Sequence, residues 1–151
     1  MTYYCSYCGG KLSKISRKLS ICRSCHKHIY LNPVPCNAVI LKNLQGKILL
    51  VKRKLAPFKN YWDLPGGFID FNENAEQSLK REIKEELGVD IKDPKYFNSY
   101  VDRYLYKGIN YHTLGLVYTG EIDNPPVSGL KPADDISEVK FFPKNKLPKK
   151  L

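Results

Sequence analysis

The chain has 151 residues, 42% of them hydrophobic and 26% charged, with a formal net charge of +10. That length accommodates one compact domain with a real core and a small additional module. No apolar run approaches the length of a membrane helix and the polar, Cys-containing N-terminus is unlike a signal peptide, so membrane classes are excluded and a soluble, cytoplasmic protein is expected.

The charge is uneven, with 12 Lys and Arg and no Asp or Glu in residues 1–62, against 13 basic and 15 acidic residues in 63–151. The basic half suits an anionic partner, either the phosphates of a small substrate or a nucleic-acid backbone. A general preference for lysine at exposed positions would give the same figures. Residues 1–32 contain Cys5-Ser-Tyr-Cys8 and Cys22-Arg-Ser-Cys25, two knuckles separated by 13 residues. The spacing predicts a zinc ribbon with Cys5, Cys8, Cys22 and Cys25 around one Zn²⁺, a closed and therefore structural site. Two disulfides are the alternative, disfavoured without a secretory context. His26 and His28 are read as bystanders, with replacement of one cysteine ligand by a histidine the lesser reading.

Asn32-Pro33-Val34-Pro35 punctuates the junction, and a strand is expected over Val34 to Lys42. A hairpin turn at Asn43-Leu-Gln-Gly46 then leads into a second strand, Lys47 to Arg53. Cys36 is expected as a small buried hydrophobe within the first strand. Arg53, at the end of the second, is the candidate phosphate contact. Trp62 reads as core, while Gly66 and Gly67 allow close backbone approach to a ligand.

The spacing predicts a helix over Ala75 to Leu87, with Asn74 as N-cap, Gln77 completing a capping box and Gly88 at the stop. Ala75, Leu79, Ile83 and Leu87 form its apolar stripe. Glu86 and Glu82 flank that stripe and Glu85 points further outward, all three segregated from Lys80, Arg81 and Lys84. Glu82 and Glu86, four residues apart, repel one another. Such a cluster either raises its pKa values or binds a hard cation, Mg²⁺ or Mn²⁺. An ordinary acidic helix face is the plainer alternative.

Beyond the helix, Tyr96 to Tyr106 and Tyr111 to Ile122 read as strands around Lys107-Gly108-Ile109-Asn110, a second hairpin. Tyr100, Tyr104, Tyr106, Tyr111 and Tyr118 suit strands, and stacking on a nucleobase is the lesser reading. A polar loop follows from Asp123 to Pro132, then an acidic segment with Asp135 and Glu138 leads into a strand ending at Phe141-Phe142.

Gly67-x5-Glu73-x7-Arg81-Glu82-Ile83-x-Glu85-Glu86-x-Gly88-Val89 resembles the Nudix box at nine positions over 23 residues. The resemblance implies a Nudix hydrolase of α/β (α+β) class, an α/β/α sandwich with a mixed sheet over residues 33–151, preceded by the zinc ribbon at 1–32. It implies hydrolysis of a nucleoside diphosphate linked to another moiety, giving a nucleoside monophosphate and a phosphorylated second product. Glu82, Glu85 and Glu86 are implied as ligands of catalytic Mg²⁺ or Mn²⁺, with the Gly67 carbonyl assisting and Arg81 and Glu73 orienting them. Glu85 is the first choice for the base, with a purely ligating role equally open. Asp135 and Glu138 are the candidates for an acidic loop residue, and a C-terminal helix is expected to be short or absent.

Ribbon plus box together resemble the smaller ADP-ribose and FAD pyrophosphatases of the family and, more distantly, its NADH pyrophosphatases. The proline- and tryptophan-rich signature of the latter has no counterpart after Val89, so NADH is not the expected substrate. Two other readings stay open: an RNA-binding ribbon protein acting on nucleotide-capped RNA, and a non-catalytic nucleotide sensor. Expected partners are thus a small nucleotide, nucleic acid as an optional partner, and a second copy of the chain, since dimers are common in the family.

Overall fold

A computed structural model of the chain describes residues 3–122, 130, 132 and 135–151. Internal contacts divide it into two compact units, Met1–Pro33 and Val34–Leu151.

The first unit is a three-stranded antiparallel sheet in the order β1 (Leu12–Lys14), β2 (Leu19–Cys22), β3 (His28–Tyr30). Few large apolar side chains are buried in it. Cys5 and Cys22 are its buried residues among those described, so the thiols occupy the place of a core.

The second unit contains one mixed and one antiparallel sheet. In the mixed sheet β8 (Ile109–Ile122) lies between β4 (Val34–Leu41), to which it runs parallel, and β7 (Ile91–Tyr106), to which it runs antiparallel. In the other, β5 (Ile48–Arg53) lies between β6 (Trp62–Asp63) and β9 (Ile136–Phe142). The single helix among the described residues is α1 (Ala75–Leu87). The α+β class and mixed sheet agree with expectation. Of the two helical layers of a sandwich, the described residues supply one, and none of them forms a C-terminal helix.

Helix α1 has the expected ends. The Asn74 side chain accepts from Gln77 N and the Gln77 side chain accepts from Asn74 N, each at 2.9 Å, and Gly88 closes the helix in the left-handed region at φ 72°. Leu79, Ile83 and Leu87 are fully buried against Val39 and Leu41 of β4, Leu49 and Val51 of β5, and Ile136 and Val139 of β9. Each such side chain contributes about 1.5–3 kcal/mol, so the helix is fixed by its stripe while its acidic edge stays free for chemistry.

Two expectations about hairpins change. The turn at Asn43–Gly46 forms, with Asn43 Oδ1 accepting from Gln45 N and Lys47 N, but β4 and β5 part after one bridge, Lys42 to Ile48, and enter different sheets. The reason is burial on both faces: Leu49, Leu50 and Val51 are 0%, 2% and 3% exposed in succession, which requires a central strand with a neighbour on each edge. The second hairpin is longer and tighter than expected. Its turn is Lys107-Gly108 alone, at φ 47° and 77°, the two positive values that match strand twist. Strand β7 starts early, at Ile91, because bulges between Lys92 and Lys95 and between Tyr96 and Asn98 absorb Pro94. The polar loop expected at 123–132 lies outside the described residues except for Leu130 and Pro132. No helix among the described residues is long and apolar enough to cross a membrane.

Candidate functional site

The loop entering the box is sewn onto β4. Val39 N donates to Pro65 O at 2.9 Å, Asn37 N to Gly67 O at 2.8 Å, and Ile69 N to Pro35 O at 3.2 Å. Glycine is required at 66 because, at φ +144°, a Cβ would come within 2.3 Å of Asn37 O. At Gly67 a Cβ would meet the Glu82 carboxylate at 2.4 Å, so this backbone and that acid share one space. The Gly67 carbonyl keeps one lone pair beyond its bond to Asn37 N.

From the other side α1 presents its acids. Glu86 is only 8% exposed and accepts from Gly66 N at 3.0 Å. Burial, opposed by that one bond and reinforced by Glu82, Asp135 and Asp63, pushes its carboxyl up to about 9. Glu82 is raised too, by burial against the opposing pull of Arg81. Asp63 is raised by burial, with Arg53 Nη1 3.9 Å from it.

These groups line a cleft of about 390 Å³. Among the described residues six carboxylates face it, from Asp63, Asp70, Glu82, Glu86, Asp102 and Asp135, against one cation, Arg53. Of the residues singled out from sequence, Arg53, Gly66, Gly67, Glu82, Glu86 and Asp135 are brought together there. Arg81, Glu73 and Glu85 form a layer behind it. Arg81 bonds Glu73 at 2.7 and 3.2 Å, Glu82 at 2.9 Å, Glu85 at 3.0 Å and Phe68 O at 3.2 Å. Glu73 also accepts from Asp70 N at 2.8 Å, so the pair fastens the box loop to the helix. The Arg81 guanidinium holds the Glu73 carboxyl below its ordinary range. Glu85 is exposed and lies off the cleft lining. Glu138 sits within β9, bonded to Lys52 at 3.3 Å, also off the lining.

Asp102 escaped the sequence reading, and Tyr100 and Tyr104, read there first as strand residues, join it on the lining. Tyr100, Asp102 and Tyr104 alternate along β7 and so share its cleft face; the period-two spacing was the available signal. Cys36 is half-buried on the lining rather than buried in the core, and desolvation raises its thiol pKa. Trp62 is held edge-on by Phe142 at 4.8 Å between centroids, off the lining. Tyr104 accepts from Arg53 Nη2 at 3.4 Å and lies at 6.4 and 5.9 Å from the Phe58 and Phe68 rings, an aromatic wall beside a guanidinium. The β5–β9 register shifts between Lys52 and Arg53, which turns Arg53 toward this wall.

In the first unit, Cys5 Sγ lies 3.8 Å from Cys25 Sγ and Cys8 Sγ 3.5 Å from Cys22 Sγ, and all four sulfurs fall within 4.8 Å of one another. A tetrahedral zinc with bonds of about 2.3 Å puts its sulfurs about 3.8 Å apart, whereas a disulfide needs about 2.05 Å. Each knuckle ends in a left-handed residue, Gly9 at φ 70° and His26 at φ 58°, so His26 serves a turn. Backbone N–H groups of Cys25 and Ser24 aimed at Cys22 lower its thiol pKa, while the bonds from neighbouring thiols raise that of Cys8, so Cys22 is the first of the pair to become a thiolate. Among the described residues this is the one group of three or more potential ligands so gathered; the box glutamates do not converge to that degree.

A mixed-sheet fold, with glutamates of one helix facing a glycine loop across an acid-lined cleft, defines a hydrolase of the Nudix class. The NUDIX domain family model matches residues 33–151, and the chain belongs to that family. It is 37% identical over 141 residues to an ADP-ribose pyrophosphatase of Methanocaldococcus jannaschii, a match covering 90% of this chain and 78% of that protein. It is 32% identical over 100 residues to the NAD-capped RNA hydrolase NudC of Haemophilus influenzae, over 64% of this chain but 37% of that relative's length. The crystal structure of a NUDIX hydrolase from Nitrosomonas europaea superposes with a TM-score of 0.70 at 27% identity, covering 96% of this chain and 80% of that one.

Proposed function

We propose that the protein hydrolyses the pyrophosphate of a nucleoside diphosphate linked to a second moiety, of the ADP-ribose or FAD type, with Mg²⁺ or Mn²⁺. The observation that carries this reading is the charge of the cleft: six carboxylates and one arginine repel a pyrophosphate unless cations lie between them. The cost of burying Glu86 points the same way, since a carboxylate so enclosed is either protonated or paired with a cation.

In this reading Glu82, Glu86 and the Gly67 carbonyl would hold the cation, and Glu85, now bonded to Arg81, would be a further ligand. The bound metal supplies charge neutralisation and acidifies a water. Arg53 takes a phosphate oxygen, while Tyr104, Phe58 and Phe68 offer their faces to a flat ring of the substrate. Arg81 and Glu73 keep the box loop against the helix. A carboxylate facing the cleft would accept the proton of the attacking water, and Asp135, just before β9, is the better candidate because it lines the cleft and Glu85 does not. The products are a nucleoside monophosphate and a phosphorylated second half. Residues 1–32 are assigned as a zinc ribbon and 33–151 as the hydrolase domain, with Zn²⁺ on the four cysteines structural and the chain working in a reducing, cytoplasmic setting.

The test is turnover of ADP-ribose, FAD, NADH, a diadenosine polyphosphate and a nucleoside triphosphate, with Mg²⁺ or Mn²⁺, by wild type and by Glu86→Gln. Cleavage of a dinucleotide or sugar nucleotide by wild type alone is expected. A variant retaining more than about a tenth of the wild-type rate sinks the assignment, because removing a ligand or charge made for the transition state costs about 10²-fold or more.

A further inference from the structure

The cleft occupies the first half of β4, through Cys36, Asn37 and Ala38. At the other end of that strand, about 16 Å from Asn37 to Lys42 at the usual strand rise, lie two further cavities of about 550 and 660 Å³. They share Ile40, Lys42 and Thr119 and so form one groove, with no lining residue in common with the cleft.

Its chemistry is opposite to that of the cleft. Lys42, Lys47 and Lys144 line the larger cavity with no carboxylate among its described lining residues, beside the side-chain amides of Gln45 and Asn145. Phe97, on the same lining, is 61% exposed. The smaller cavity adds Lys95 and two acids, Asp93 and Glu121. Among the described residues, none of the four lysines has a carboxylate oxygen within 4 Å, whereas Lys52, Arg53, Arg81 and Lys84 are all paired. A groove of this volume, with unmatched cations and an exposed aromatic ring, combines the two features that hold a single-stranded nucleic acid: charge along the backbone and a platform for bases.

We propose that this groove binds a short single strand of RNA, with a phosphate between Lys42, Lys47 and Lys144 and a base on Phe97. The carboxylates of Asp93 and Glu121 end the cationic run and can accept from exocyclic amino groups of a neighbouring base. The inference is independent of the hydrolase reading, since none of these residues touches the cleft.

The test uses the full-length, zinc-loaded chain and a fluorescein-labelled RNA single strand of about eight nucleotides, followed by anisotropy as salt is raised in Mg²⁺-free buffer. Lys42→Gln/Lys47→Gln/Lys144→Gln is expected to weaken binding at least about tenfold and to flatten the salt dependence, each phosphate contact contributing a slope of about 0.7. Phe97→Ala should weaken binding about five- to a hundredfold without changing that slope. Both variants should keep the wild-type circular dichroism and the wild-type turnover of a small dinucleotide. Unchanged binding in the triple variant would place the RNA on the basic first unit and overturn the proposal. Competition by adenosine monophosphate as effective as by unlabelled strand would overturn it as well, making the groove a mononucleotide site.

Discussion

Glu86→Gln should stabilise the metal-free protein while abolishing its turnover, because the cleft asks of residue 86 a charge that the apo fold cannot hold cheaply. The isosteric amide still accepts from Gly66 N, so the perturbation is of charge alone. The unfolded carboxyl titrates near its ordinary 4.5, and the folded one is pushed up to about 9. An acid with a raised folded pKa gives stability that is complete below its unfolded pKa and is lost as pH climbs through the folded value. Between 4.5 and pH 7 the wild type therefore loses about 3 kcal/mol, at about 1.4 kcal/mol per pH unit, that the amide variant keeps. At about 2–4 °C per kcal/mol for a domain of this size, the variant should melt about 6–12 °C higher at neutral pH. Thermal unfolding followed by circular dichroism measures this, in buffer freed of Mg²⁺ by dialysis rather than by a chelator that would also strip a thiolate site. The gap should close near pH 4.5. Added Mg²⁺ should raise the melting temperature of the wild type and leave that of the variant unmoved. A variant that melts at or below the wild type near pH 8 without Mg²⁺, or that gains as much from Mg²⁺, would refute both the burial argument and the role of Glu86 as a ligand.

Other consequences are more local. Glu73→Gln removes the carboxylate that Arg81 grips at 2.7 Å and that caps Asp70 N, so kcat should fall about 10- to 100-fold as the box loop loosens, with the melting temperature changed by only a few degrees. Such an outer-layer loss has the size seen when partners that orient metal ligands are removed. Tyr104→Ala removes both a ring of the aromatic wall and a partner of Arg53. Its effect should appear as a rise in KM for a substrate with a flat base, with kcat changed less, and an equal loss on a ring-free pyrophosphate would argue against stacking. Metal analysis should find one Zn²⁺ per chain in wild type and none in Cys22→Ser, with the protease sensitivity of residues 3–33 rising in the variant. Ile83→Ala, deep in the stripe under the box, should cost about 2–5 kcal/mol in chemical denaturation.

What could be read directly from the chain is what local rules govern. The ends of α1 follow from Asn74, Gln77 and Gly88, whose capping bonds span only a few residues, and the acidic edge of the helix follows from its 3.6-residue period. The four cysteines announce a thiolate site by spacing alone, and their sulfurs meet as that spacing requires. The resemblance at the box added Gly67 and Arg81 to the same local frame. Tertiary structure decided the rest, because strand partners are chosen across the whole chain. The turn at Asn43–Gly46 promised paired strands, yet the need to cover both faces of Leu49, Leu50 and Val51 sent β4 and β5 into separate sheets. Only that separation opens the cleft and lets β7 place Tyr100, Asp102 and Tyr104 across from the helix, far from the box in sequence. It also divides three glutamates that look equivalent on a helical wheel: Glu86 is buried and Glu82 half-buried toward the Gly66–Gly67 loop, while Arg81 draws Glu85 outward. Periodicity fixes which face of a helix a carboxylate occupies; which of those carboxylates lose their water depends on the strands and loops packed against that face.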